Sequence, residues 1–201
     1  MEKTLQIIDC IQNTPEWFEL RAKRMTISHA QAIGNCGQGL KTYITNKLAK
    51  HYSSAEEENY TNADMERGNA FEDIAGSLYG WEHNHVIQKV GFVIYNDYVG
   101  CSPDLFIDKD GLGEIKCPND TTYFNLLINE KIDTKYEWQI QGQLLVCEKK
   151  WCDYIVYNPN FEQNLFVKRV FPDQKKFSKL REGFEMGEKL IKEIDEKLRN
   201  E

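Results

Sequence analysis

The stretch Cys101-Ser-Pro-Asp-Leu-Phe-Ile-Asp108, followed after a short linker by Gly113-Glu-Ile-Lys-Cys-Pro118, decides how this chain is read. Both arms carry β-branched and aromatic residues between turn signals, which marks two strands. The linker Lys109-Asp110-Gly111 ends in glycine and suits a three-residue hairpin loop with Gly111 in the left-handed conformation. Strand side chains alternate faces, so Glu114 and Lys116 share one face and Ile115 takes the other. With this loop Asp104 comes opposite Lys116 and diagonal to Glu114. Directly opposed residues lie roughly 5 Å apart, so two acids and a lysine meet on one patch.

Two carboxylates forced together raise each other's pKa unless a cation sits between them. An oxygen-rich site of this kind suits Mg²⁺, with Mn²⁺ as a substitute. A neighbouring lysine can orient or deprotonate a water for in-line attack on phosphorus, while metal stabilises the leaving oxygen. Taken alone, the three residues also fit a surface hairpin with ordinary ion pairs.

Pro103-Asp104 with Glu114-Ile115-Lys116 resembles the PD-(D/E)xK nuclease motif. The longer strings Cys-Ser-Pro-Asp and Glu-Ile-Lys-Cys-Pro resemble the phage lambda exonuclease branch, the YqaJ viral recombinase family. Three further strings resemble the same family or its superfamily, in order. The first is Trp17-Phe-Glu-Leu-Arg21 with Ser28 seven residues on, where the family's Arg and Ser bind the 5′-phosphate of a DNA end. A guanidinium fork matches phosphate oxygens, and a helix N-terminus adds backbone donors. The second is Arg67-Gly68-Asn-Ala-Phe71-Glu72, where Glu72 supplies a further acid and Asp73 is the less favoured neighbour. The third is Tyr136-Glu-Trp-Gln139-Ile-Gln, where the first Gln approaches the active site. Related nucleases often carry Gln-x-x-x-Tyr at this place. This chain has Gln143 at the Tyr position, which fits the lambda branch better than the RecB-like one. Gln141 and Gln143 are read as a solvated helix face.

The resemblance, from about Trp17 to Val170, implies an α/β (α+β) sandwich of the restriction-endonuclease-like type. A central mixed five-stranded sheet would be flanked by helices, in one domain over residues 1–201. It implies a metal-dependent 5′→3′ exodeoxyribonuclease on linear double-stranded DNA ends, leaving 3′ single strands for phage-type homologous recombination. Asp104 and Glu114 would hold one or two Mg²⁺, with the Ile115 carbonyl as an extra ligand and Glu72 assisting. Lys116 would position or activate the water, Gln139 would support the site, and Arg21, Ser28 and Ser102 would grip the 5′-phosphate. A toroidal trimer, a single-strand annealing partner and the cytoplasm of a bacterial host follow from the same resemblance. Two alternatives stand beside this reading. One is a related endonuclease or CRISPR-associated end trimmer, though Cys147 and Cys152 lack the companions of an iron–sulfur cluster. The other is a non-catalytic DNA-end-binding module, which has no need of Asp104, Glu114 and Lys116 together.

The totals agree with a core-bearing intracellular protein. The chain has 201 residues and a net charge of −7, which argues against an ordinary DNA-coating protein but not against a local basic groove. No run approaches ~18 apolar residues, so no membrane span is expected, and the N-terminus lacks a signal peptide's apolar stretch. Six cysteines without CxxC spacing read as free thiols, with Cys101 and Cys117 close on the hairpin.

Along the chain, residues 1–13 read as irregular. Thr14-Pro15 starts a helix to about Lys23 that turns Trp17, Phe18 and Leu20 inward. Met25–Ser28 begins a short helix capped by Thr26 or Ser28. Leu40 to about His51 is helical, with Lys41, Lys47 and Lys50 toward DNA or solvent. Residues 53–61 read as a polar loop. A helix from Asn62 to about Tyr79 buries Phe71, Ile74, Ala75 and Leu78. Val86–Tyr95, Tyr98–Ile107 and Gly113–Lys116 form a three-stranded meander. Helices over Asp120–Ile128 and Lys135–Cys147 follow, then strands Trp151–Tyr157 and Leu165–Val170. A long final helix buries Phe177, Leu180, Phe184, Ile191, Ile194 and Leu198.

Overall fold

The computed structural model describes residues 6–54 and 63–199, with side chains given from residue 70 within the second span and up to residue 198. The polar stretch 55–61 and the side chains of Arg67 and Gly68, both read from sequence above, lie outside the described residues. In chain order the elements are β1 (Gln6–Ile8), α1 (Pro15–Ala22), β2 (Met25–Thr26), a 3-10 turn (Ile27–His29), α2 (Ala30–Gly34), α3 (Gln38–Tyr52) and α4 (Ala63–His83). Then come β3 (Ile87–Lys89), β4 (Phe92–Asn96), β5 (Val99–Cys101), β6 (Leu105–Ile107) and β7 (Gly111–Lys116). The chain ends with α5 (Asp120–Asn129), α6 (Thr134–Cys147), β8 (Trp151–Tyr157), β9 (Leu165–Val170) and α7 (Gln174–Arg199).

The expected mixed five-stranded sheet is present, in the order β3-β6-β7-β8-β9, parallel only between β7 and β8. The expected meander is not. Each of its two long runs breaks into two short strands that belong to different sheets, and a second sheet, β1-β4-β5-β2, results. The breaks have local causes. Between β3 and β4 stands Gly91, where an added Cβ would overlap the backbone of Ile8 and Cys10. Between β5 and β6 stands Pro103, which has no N–H to give a ladder. The N-terminal stretch read as irregular contributes β1, whose Gln6–Ile8 pair antiparallel with Phe92–Ile94. Met25-Thr26 is not a helix start but β2, a two-residue parallel addition to β5.

Ile115 packs with Ala75, Tyr79, Leu105 and Ile107 under α4, while Leu112, Tyr154 and Val156 join the larger core with Ile140 and Leu144 of α6. The five-stranded sheet is thus covered on both faces, and the Glu114 face is the α6 face. The helix readings hold with corrections at single positions. Phe18, Ile74 and Leu198, read as inward, are each about half exposed (46%, 49% and 50%). In α7 the buried stripe is Phe177, Leu180, Phe184 and Ile191. Gly183 and Gly187 of α7 lie on one face, where any Cβ would overlap Ile33 and Met25. Close approach without side chains lets α7 lie flat against α2. The Cys101 sulfur lies 3.6 Å from that of Cys147, both buried as free thiols.

Candidate active site

The hairpin register fixes the site. Leu105 pairs with Gly113 and Ile107 with Gly111, so the loop is Asp108-Lys109-Asp110 and Asp104 falls opposite Glu114, not Lys116. The left-handed residue is Asp108 (φ 48), not Gly111. Asp108 takes that strain because its carboxylate accepts the Val86 N–H (2.9 Å) and contacts His85 Nδ1 (2.6 Å). The slip from the expected register is two residues. A slip of two preserves faces, so Asp104, Glu114 and Lys116 still meet.

Asp104 Oδ2 accepts the Ile115 N–H at 2.6 Å, and its carboxyl is hydrogen-bonded to that of Glu72. Glu72 reaches this place because α4 lies on the sheet. Seven residues on, and on the same helix face, the Tyr79 hydroxyl donates to Asp153 Oδ2 at 2.6 Å. Asp153, buried in β8, is in turn held by both forks of Arg169 at 2.8 Å. Asp73 points away and pairs with Lys89. Burial, then Glu114, holds the Asp104 carboxyl well above its ordinary value; burial likewise raises Glu72, against the opposing Lys116 ammonium. Burial and the nearby carboxylate charge both disfavour the ionised forms of these acids, while the Lys116 ammonium favours them.

Glu114, 1% exposed, is saturated with donors. Its Oε1 accepts from the Lys116 ammonium and from Gln139 Nε2 (2.6 Å), its Oε2 from Gln143 Nε2 (2.6 Å). Lys116 also donates to the Ile115 carbonyl at 2.8 Å. Burial alone would lower the Lys116 pKa, but Glu114 and Asp104 outweigh it and hold it above its ordinary value, so the side chain is an ammonium. Gln139 and Gln143 are one helical turn apart on α6 and face the same carboxylate. The reading of Gln141 and Gln143 as a solvated face is therefore corrected: they are 3% and 1% exposed. Gln141 braces the start of α7, donating to the Phe171 carbonyl and accepting the Asp173 N–H. Gln143 is the site residue the sequence reading missed, and its Oε1 is buried with no partner among the described residues. The four-residue spacing from Gln139 was the available signal.

Arg21 and Ser102 come together as expected. Ser102 Oγ accepts from Trp17 Nε1 at 2.8 Å and from Arg21 Nη1 at 3.5 Å, and the guanidinium lies 3.9 Å above the Trp17 ring. Ser102 is two residues from Asp104 along the chain, so the Arg21 contact lies on the segment that carries Asp104. Ser28 sits on the 3-10 turn, and its contacts are with Thr26 Oγ1 (3.3 Å) and His29 Nδ1 (3.2 Å) rather than with Arg21 or Ser102.

The donor set fits a hard divalent cation: three carboxylates and the Ile115 carbonyl, all oxygen, with no soft ligand among them. The Lys116 ammonium bridges two of these oxygens, so positive charge already stands where the set calls for it. Among the described residues, no three His, Cys, Asp or Glu side chains are spaced as they stand to hold an ion. Lys116 would have to yield its place.

A family model described as the YqaJ-like viral recombinase domain matches residues 16–150. Among solved structures, an alkaline exonuclease, LHK-Exo, from Laribacter hongkongensis is similar at a TM-score of 0.84 and 25% identity, over 93% of this chain and 97% of that one. The same enzyme in complex with dAMP matches equally. A phage related exonuclease from Haemophilus somnus 129PT shares the fold at a TM-score of 0.64 and 13% identity, over 90% of this chain and 98% of that one. No curated protein matches the chain.

Proposed function

Because this chain belongs to the YqaJ-like viral recombinase family and is a nuclease of the lambda exonuclease kind, we propose that it is a metal-dependent exodeoxyribonuclease. It digests linear double-stranded DNA from 5′ ends and leaves 3′ single strands for phage-type recombination. The observation that carries the reading is the meeting of Glu72, Asp104, Glu114 and Lys116 beside Arg21 and Ser102. The Arg21–Ser102 contact supports reading Arg21 as the phosphate-binding cation, and the cluster of acids with Lys116 supports reading them as the hydrolytic groups.

In this reading Asp104, Glu114 and the Ile115 carbonyl hold Mg²⁺, or Mn²⁺ in its place, with Glu72 assisting. The bound cation supplies Lewis-acid stabilisation of the oxygen that leaves phosphorus. Lys116, released from Glu114 once the carboxylate charge is taken up, orients the attacking water as an ammonium, and the water's proton leaves to solvent. Gln139 and Gln143 keep Glu114 from turning. Arg21 and Ser102 bind the terminal 5′-phosphate, which sets the scissile bond over the carboxylates. Ser28 joins that grip by moving toward the bound phosphate. A trimeric ring around DNA, a single-strand annealing partner and action in a bacterial host's cytoplasm belong to the same proposal. No described helix is long and apolar enough to cross a membrane.

The test uses linear duplex DNA with a 5′-phosphate or a 5′-hydroxyl, in Mg²⁺, with release of acid-soluble nucleotides as the readout. Faster loss from phosphorylated ends, lowered about 10²–10⁴-fold by Lys116→Ala, is expected. Equal cutting of circular DNA would replace the reading with an endonuclease. End binding without any hydrolysis in Mg²⁺ or Mn²⁺ would leave a binding module.

A further inference from the structure

Helix α4 brings Glu72 to Asp104, and one face of that helix does so. Gly76 and Tyr79 stand four and seven residues after Glu72 and share its face, with Tyr79 about 10 Å along the axis. The middle of this face is apolar. A Cβ added at Gly76 would lie 3.5 Å from the tips of the Ile115 and Leu105 side chains. Those two residues directly follow Glu114 and Asp104, so α4 rests on the neighbours of the acids that Glu72 joins. Apolar burial is non-directional. These contacts hold α4 down without fixing where along its axis it stops.

The far end of the face has groups with direction. The fully buried Tyr79 donates its hydroxyl to Asp153 Oδ2 at 2.6 Å. Arg169 donates to both oxygens of the same carboxylate at 2.8 Å. Asp153 stands opposite Gly113 in the β7–β8 pairing, one position before Glu114. The anchor therefore sits on the strand pair that carries Glu114, and Glu72 lies two helical turns from it. A buried carboxylate with its charge partner is often no more stabilising than apolar side chains of the same volume. Stability alone does not account for the group, whereas a fixed position of α4 is something apolar side chains would not supply.

We propose that Tyr79, Asp153 and Arg169 are positioning residues, which set the axial position of α4 on the sheet and so hold Glu72 against Asp104 for the cation these acids bind. They act through Glu72. This rests on the metal-dependent nuclease reading for the identity of the cation site.

The test titrates the protein with Mn²⁺ in the absence of DNA, with free Mn²⁺ read by electron paramagnetic resonance, and follows cleavage of linear duplex separately. Tyr79→Phe removes one oxygen and keeps the ring. It should weaken Mn²⁺ binding about tenfold, the lower end of what loss of a support behind a metal ligand costs. In a Glu72→Gln background the same substitution should change Mn²⁺ affinity no further, because its effect passes through Glu72. Asp153→Asn keeps a carbonyl oxygen for the Tyr79 hydroxyl and should bind Mn²⁺ more tightly than Asp153→Leu. Arg169→Gln, with a side chain 40% exposed, is the second variant should Tyr79→Phe not fold, and a smaller loss is expected of it. Unchanged Mn²⁺ affinity in Tyr79→Phe, or equal loss with and without Glu72, overturns the inference and leaves the three residues as a support of the fold alone. Wild type that binds no Mn²⁺ overturns both the inference and the metal reading. Affinity that depends on Tyr79 through Glu72, with no cleavage of linear duplex by wild type, supports the positioning role and refutes the nuclease reading instead.

Discussion

Gln143 shows how a neutral amide can be both a fault and a fixture. Its Nε2 makes a charge-assisted hydrogen bond to Glu114, worth roughly 1.5–3 kcal/mol, while its Oε1 is buried with no partner among the described residues, at a cost of about 1–3 kcal/mol. Gln143→Met keeps the length and volume and removes both. Leaving the buried Glu114 Oε2 without this donor outweighs the relief at Gln143 Oε1, so unfolding in urea should show a loss of about 1–3 kcal/mol. Glu114 would lose the donor on Oε2 and gain freedom to turn. Cleavage of linear duplex should then fall by roughly tenfold or more at fixed Mg²⁺. Full activity in a stably folded variant would show that Gln139 and Lys116 hold Glu114 without help. At this scale the sequence was partly legible. Asp104, Glu114 and Lys116 follow from alternation, and alternation survives a register slip of two. Gln143 did not follow, because hydropathy sets glutamine on the surface and only a buried charge brings it in.

Among the elements, helices were legible and strand partition was not. Apolar spacing marks α6 and α7 because each must bury a stripe. Val86–Tyr95 and Tyr98–Ile107 each read as one strand, since nothing in apolar content tells one long strand from two short ones in different sheets. Gly91 and Pro103 carried that information, through backbone crowding and a missing donor. The Gly183 face of α7 was silent for a similar reason: what it approaches lies 150 residues away in sequence, at Ile33. Helix propensity favours Ala over Gly by about 0.8–1.0 kcal/mol, yet Gly183→Ala would set a methyl group onto the Ile33 carbonyl, a backbone atom that cannot rotate aside. Overpacking costs typically about 1–3 kcal/mol, so the net change should be destabilising. Gly39→Ala in α3 is the matched contrast, because its added Cβ would meet only Ala32 Cβ at 3.8 Å. Urea unfolding of the two variants should move in opposite directions or, at the least, show loss for Gly183→Ala alone.

The whole molecule gathers three carboxylates from three places, Glu72 on α4, Asp104 where the chain passes between sheets, and Glu114 on β7, and folding is what forces them together. That coupling makes stability depend on pH with a definite sign. Glu72 and Asp104 have folded-state pKa values raised above their ordinary ones, by burial first and by Glu114 in addition. An acid with a raised folded pKa binds more protons when folded than when unfolded, so stability falls as pH rises through the interval between the two values. The interval opens near the unfolded carboxyl value, about 4, and ends at the folded values above it. Without divalent cation, thermal unfolding of wild type should therefore lose stability across this window relative to Glu72→Gln, which keeps one of the two acids and none of their mutual repulsion. Mg²⁺ that binds the carboxylates favours their charged forms, so the Tm gained on adding it should grow as pH rises from about 5 to 8. The difference between the wild-type and Glu72→Gln curves isolates the pair from exposed acids such as Asp108 and Asp110, whose lowered values act in the opposite sense. Parallel curves in EDTA, together with a Mg²⁺ gain that ignores pH, would mean that Glu72 and Asp104 are not the acids a cation relieves.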